Sequence, residues 1–171
     1  QEDTFAYVNG HLDASINQLA VLDALKNHNS EYLYFKTDHH WTADGAYYAY
    51  KELMKAKGMT PSPLTDYTKS EYPGFVGSFY QYSNQSETLK NNPDTVVAYT
   101  PTCNDLTYTN TDGQQVSGYV VSDVTKYSEA NKYLCFISGD QPYERIDNPN
   151  ITDGSSCVVI KESYGNAFVP F

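Results

Sequence analysis

Two short apolar runs, residues 31–35 and 157–160, each break into a polar turn that carries reactive side chains, and each is followed by small or helix-starting residues. A run of four or five aromatic or β-branched residues that stops at a turn reads as a buried strand. After the first run, Thr42 stands at an N-cap position with Asp44 in the first helical turn. Gly58 closes that helix behind Lys55 and Lys57, and Ala46, Ala49, Tyr50, Leu53 and Met54 form its apolar stripe. Strands that feed helices near both ends of a chain predict an α/β layered fold rather than an all-β one.

The rest of the chain fits around these two junctions. Leu12, Ile16, Leu19, Leu22 and Leu25 recur every three or four positions, which predicts an amphipathic helix over 11–28. Residues 61–92 are punctuated by Pro61, Pro63, Pro73, Gly74 and Gly77 and read as loop. Residues 94–99 contain a Val-Val strand, and 106–109 and 116–121 alternate around Asp112-Gly113 as a hairpin. Residues 133–137 form a further apolar strand that breaks at Gly139. One domain over 1–171 is expected: a first block at about 31–58, a loop and β-hairpin insertion at about 61–130, and a second block at about 133–171. A helix begun at Ser163 has only eight residues before Phe171, so a companion segment beyond Phe171 is expected.

Composition removes several functions. The 171 residues carry 21 acids against 11 bases, a net charge of -10 that repels a phosphate backbone, so nucleic acid is not an expected partner. No run approaches the ~20 apolar residues of a membrane-spanning helix. The 17 tyrosines exceed 7 Phe and 1 Trp, and a flat ring with a hydroxyl suits sugar surfaces and wet interfaces as well as strands. Low lysine and high tyrosine point to export, with the signal or anchor segment outside this chain. Cys103, Cys135 and Cys157 lack the C-x-x-C spacing of structural zinc sites, and the latter two, set in apolar runs, read as buried thiols.

The chemistry concentrates where the runs end. Asp38 and His40 are two apart, so in extended backbone they point the same way. A carboxylate there accepts the imidazole Nδ1–H and leaves Nε2 as a base. Ser163 follows the second run after two residues, a layout resembling a nucleophile elbow without its G-x-S-x-G pattern, and equally that of a helix cap. Trp41 reads as a wall of the site, a stacking face for a sugar ring, or a core residue. The stretch 74–80, with its small and aromatic residues, reads as a groove for polysaccharide or as a packed loop.

The run Tyr34-Phe35-Lys36-Thr37-Asp38-His39-His40-Trp41-Thr42, followed by Gly45-Ala46-Tyr47-Tyr48, resembles the signature of the DHHW protein family. That family is similar to the SGNH-hydrolase-like proteins of alginate and exopolysaccharide O-acetylation. Lys161-Glu162-Ser163-Tyr164 resembles the family's Lys-Asp-Ser-Tyr block, with Glu162 in place of the usual Asp. The resemblance implies an SGNH-like three-layer α/β fold, incomplete at the C-terminus of this chain. It implies Ser163 as nucleophile, His40 as general base and Asp38 as the orienter of His40. SGNH-type oxyanion donors commonly include a Gly and an Asn beyond the serine block; within this chain the backbone N–H of Ser163 or Tyr164 is the expected donor, with Gly139 as a second or simply as a turn. The implied function is an acetyl esterase or O-acetyltransferase on cell-surface or secreted polysaccharide, in a bacterial extracellular setting, with no cofactor. Two other readings stay open: a catalytically silent glycan- or protein-binding module, and a metal-dependent phosphoesterase using Asp38-His39-His40.

Overall fold

The computed structural model describes residues 2–171 as a mixed α/β chain built on two small antiparallel sheets. Helices α1 (Glu2–Asn9) and α2 (Val21–Asn27) lead to the longest helix, α3 (Ala43–Ala56). Strand β1 (Thr68–Phe75) is followed by the short helices α4 (Ser78–Tyr82) and α5 (Glu87–Lys90), then β2 (Asp94–Thr100). Strands β3 (Asp105–Thr109) and β4 (Gln115–Tyr119), a 3₁₀ segment (Glu129–Cys135), β5 (Tyr143–Arg145) and α6 (Gly165–Phe168) complete the order. No helix among the described residues is long and apolar enough to cross a membrane.

Helix α3 starts and faces as its sequence predicts. The Thr42 hydroxyl accepts the Gly45 N–H at 3.2 Å, and Ala43, Gly45, Ala46, Ala49 and Tyr50 form the buried face. Gly45 is required there because a Cβ would lie 2.5 Å from the Leu33 carbonyl oxygen. That contact seats segment 33–42 directly on the helix N-terminus. The β3–β4 hairpin also forms, with Tyr108 opposite Val116.

The main core joins α3, the β1–β2 ribbon, the 3₁₀ segment and α6 through Phe35, Ala46, Tyr72, Phe75, Val96, Ala98, Phe136 and Ala167. Phe75 and Phe136 are fully enclosed, and truncating either to alanine costs about 3–5 kcal/mol. The exposed-to-buried alternation of β2 points Val96 and Ala98 into this core.

Several sequence expectations fail for physical reasons. The helix over 11–28 shrinks to α2, and Leu12, Ile16 and Leu19 are exposed. Asp13 takes the Ser15 N–H and hydroxyl at 2.9 and 2.7 Å, a local capture that competes with helical bonding. Residues 61–92 contain β1, because a two-stranded ribbon leaves an open edge where Pro73 is tolerated; the register slips between Pro73 and Phe75. Residues 31–35 and 133–137 contribute only the single bridges Tyr34↔Trp41 and Val121↔Phe136. Residues 157–160 have no regular secondary structure, with Val158 87% and Ile160 97% exposed. A strand forms only with a hydrogen-bonding partner, and the described residues offer none there. Cys157 is accordingly exposed rather than buried, while Cys135 is enclosed and its burial pushes the thiol well above its ordinary range. Strand pairing among the described residues is antiparallel and forms two small sheets, within the expected mixed α/β class.

Candidate active site

Asp38, His39 and His40 sit in a narrow loop rather than at a strand end. The Phe35 N–H donates to the His40 carbonyl at 3.2 Å and the Thr42 N–H to the Leu33 carbonyl at 2.9 Å, closing the loop at its base. A buried carboxylate fixes its near side. Asp94 accepts the Thr37 N–H at 2.8 Å and the Thr37 hydroxyl at 2.6 Å, together with the Tyr32 hydroxyl. These charge-assisted bonds satisfy an acid that is 2% exposed.

Asp38 is the next link. Its Oδ1 accepts the His40 N–H at 3.0 Å and the His40 Nδ1–H at 2.5 Å, and its Oδ2 accepts the Ser78 N–H at 2.7 Å. Burial opposes its ionisation. The His40 ring and the two backbone donors outweigh it and hold the carboxyl well below the usual carboxylate range. Ser78 reaches Asp38 only because Gly77 precedes it: a Cβ at Gly77 would lie 2.3 Å from Asp38 Cβ.

With Nδ1–H committed to Asp38, His40 Nε2 is an acceptor, and Ser163 Oγ lies 2.8 Å from it. The chain Asp38–His40–Ser163 is thus continuous, joining positions 123 residues apart in sequence. Ser163 sits in a tight turn before α6, where the Gly165 N–H donates to the Glu162 carbonyl at 2.9 Å. A part-buried network holds this turn from behind. Lys161 Nζ donates to Asn166 Oδ1 at 2.6 Å, Asn166 donates to Asp140 at 3.0 Å, and Glu144 lies 3.6 Å from Lys161. Burial pushes the Glu144 carboxyl above its ordinary range despite that ammonium.

The other expected residues take different parts. Trp41 clasps the two blocks: its Nε1–H donates to the Tyr164 carbonyl at 2.8 Å, and its ring meets Tyr164 edge-on. The Tyr164 hydroxyl in turn donates to the His39 carbonyl. The Tyr164 N–H donates to Glu162 Oε1 at 3.2 Å and the Gly139 N–H to the Phe136 carbonyl at 2.9 Å. Both of these amides therefore already have partners, and Gly139 serves a turn. In stretch 74–80, Phe75 and Val76 are buried in the core, so it is a packed loop rather than an open groove. A cleft of about 510 Å³ is lined by Trp41, Val159, Lys161, Glu162, Tyr164 and Phe168, the sequence neighbours of Ser163 rather than Ser163 itself.

Asp38, His39 and His40 also bring three metal-ligand atoms within 4.8 Å of one another. Two of these atoms face each other across the 2.5 Å Asp38–His40 bond, and His39 Nδ1 is 2.6 Å from Ser78 Oγ. Both histidine Nδ1 atoms are already engaged in these hydrogen bonds, which an ion held through them would have to displace.

Sequence reading passed over Asp94 and Tyr133 as site residues, and read Gly77 and Ser78 only as part of a groove or packed loop rather than as supports of Asp38. Tyr133 lies flat on the His40 imidazole, with centroids 4.2 Å apart and planes at 15°, and its hydroxyl donates to the Ser163 carbonyl at 3.0 Å. Its only sequence signal is a tyrosine at the head of an otherwise apolar run.

The lowered carboxyl of Asp38 has a consequence in acid. A folded-state value below the unfolded one, near about 3.9, adds stability that is complete above that pH and is lost as pH falls through it. Urea midpoints between pH 5 and 2 are expected to fall more steeply for the natural protein than for Asp38→Asn. Parallel curves would mean that Asp38 is not ionised against these partners.

The family described as DHHW protein matches residues 1–171. A solved DHHW family protein from Eubacterium siraeum is 33% identical, with a TM-score of 0.87, over 99% of this chain and 56% of that one. The structure of Bacillus cereus PatB1 is 25% identical, with a TM-score of 0.78, over 99% of this chain and 61% of that one. The chain therefore spans little more than half the length of these solved relatives. Among curated proteins no match is found. A family match over its whole length, together with a solved member one third identical, makes this chain a member of the DHHW family.

Proposed function

We propose that the chain carries a serine acyl-transfer site, acting as an esterase or O-acetyltransferase on acetylated cell-surface or secreted polysaccharide. The observation that carries the reading is the unbroken chain from Asp38 through His40 to Ser163 Oγ, with distances of 2.5 and 2.8 Å. In this reading Ser163 Oγ attacks the acyl carbonyl while His40 Nε2 takes its proton, and Asp38 steadies the imidazolium. His40 then returns the proton to the leaving alcohol, leaving an acyl-Ser163 ester. Water or a sugar hydroxyl, deprotonated by His40, attacks that ester and frees Ser163. The Ser163 backbone N–H would serve as an oxyanion donor. Resemblance to the alginate O-acetylation proteins supports acetyl as the group moved, a scaffold of the SGNH-like layered type and an extracellular or cell-surface setting.

The test is labelling by a serine-reactive fluorophosphonate, with the adduct located by peptide mass spectrometry. Label on Ser163, lost in His40→Ala, is the expected result. An unlabelled protein that still binds glycan would replace the reading with a binding module. Phosphoesterase turnover that needs added manganese and stops with chelator would replace it with the metal-dependent alternative.

A further inference from the structure

Tyr133 touches both reacting partners of this site. Its ring covers the His40 imidazole, and its hydroxyl holds the Ser163 carbonyl. The side chain is 7% exposed, with Phe35 and Phe136 meeting its ring edge-on at 6.1 and 5.3 Å. Packed on these sides, the ring has little freedom to turn. Burial first, and the Asp38 carboxylate second, push the phenol well above its ordinary range, so it stays a donor across working pH.

We propose that Tyr133 is a positioning residue that locks the His40 ring and the Ser163 backbone into one geometry, an inference that rests on the serine reading above. Two separate contacts do this work. Among the described residues the Ser163 carbonyl otherwise receives only the Asn166 N–H at 3.3 Å, at the edge of a four-residue helix. A hydroxyl from the core fixes that peptide unit and thereby the direction of the Ser163 side chain, so Oγ stays in reach of Nε2. The ring face restrains rotation of the imidazole. It also presents π electrons to the imidazolium that forms once His40 takes the Ser163 proton. Asp38 acts on that cation in the plane of the ring, through Nδ1, while Tyr133 acts on its face.

The hydroxyl and the ring are separable by substitution. Tyr133→Phe keeps the stack and removes the hydrogen bond, whereas Tyr133→Leu removes both. The readout is phosphonylation by the fluorophosphonate, in which Ser163 Oγ displaces fluoride from phosphorus while His40 takes the proton. The limiting rate and the reversible binding constant of the probe are measured separately. Both are referred to the folded fraction from circular dichroism, so loss of fold is distinguished from loss of positioning. Tyr133→Phe is expected to lower the limiting rate about tenfold with the binding constant within about twofold, and Tyr133→Leu to lower it about a hundredfold. Tyr133→Phe and Tyr133→Leu proteins that both react at the natural rate overturn the positioning role and leave the serine reading intact. A natural protein that takes no label at Ser163 overturns both.

Discussion

Turnover of p-nitrophenyl acetate is expected to fall by about 10⁴- to 10⁶-fold when Ser163 is replaced by alanine, and by a similar factor in His40→Ala. The size of the effect follows from the groups acting as one unit. Without Nε2 at 2.8 Å, the Ser163 hydroxyl has no acceptor for its proton and is a poor nucleophile near neutral pH. Without Oγ, the imidazole has nothing to activate except water. The double variant is therefore expected to be no slower than the worse single one, because the second substitution removes a group already idle. Losses that multiplied instead would mean that the two residues act independently and that the site is not a triad. Stability separates the chemistry from the fold. Among the described residues the Ser163 hydroxyl bonds only to His40, so Ser163→Ala should melt within a few degrees of the natural protein.

What the sequence made legible is what short-range chemistry determines. The Thr42 cap, the helix behind it and the hairpin around Asp112-Gly113 depend on residues within a few positions of one another, and they formed as read. Asp38 and His40 were readable for the same reason. Their pairing with Ser163 was readable only as order along the chain, through resemblance, because the contact spans 123 residues. The supports around them were not legible at all. Asp94 looks like an ordinary acid at the start of a strand, yet it lies 57 positions from the Thr37 it holds. Tyr133 is one tyrosine among 17, and nothing local marks it as the residue lying on His40. Apolar runs misled for a related reason. Residues 133–137 and 157–160 have the composition of strands, but composition fixes burial preference and leaves pairing to whatever backbone lies alongside. The first run found its partners in the core by curling into a 3₁₀ turn, with Tyr133, Cys135 and Phe136 buried and Leu134 turned outward.

Replacing Gly77 by alanine is expected to be nearly as damaging to turnover as losing Asp38, although residue 77 touches no substrate. The added methyl would lie 2.3 Å from Asp38 Cβ and 2.4 Å from Oδ2, well inside van der Waals contact. Neither side has a way to retreat. The Gly77 N–H is bound to the Thr37 hydroxyl at 3.1 Å, and Thr37 is itself pinned by Asp94. The Asp38 carboxylate is bound on one oxygen by His40 and on the other by the Ser78 N–H. Relief therefore comes by turning Asp38 away from His40 or by lifting the 76–78 backbone off it. Either movement breaks a hydrogen bond to the carboxylate and frees the imidazole to take the wrong tautomer. Loss of that orientation costs about 10³- to 10⁴-fold in turnover, and the overpacking costs about 1–3 kcal/mol of stability. Gly113→Ala is the control: residue 113 has a positive φ of 78° in the hairpin turn and nothing within 4 Å of an added Cβ. It carries the strain of alanine at such a φ without approaching the site, so it should lose stability and keep its turnover. If Gly77→Ala kept the natural rate while Asp38→Asn lost it, the close approach of Gly77 would have no part in holding Asp38 against His40.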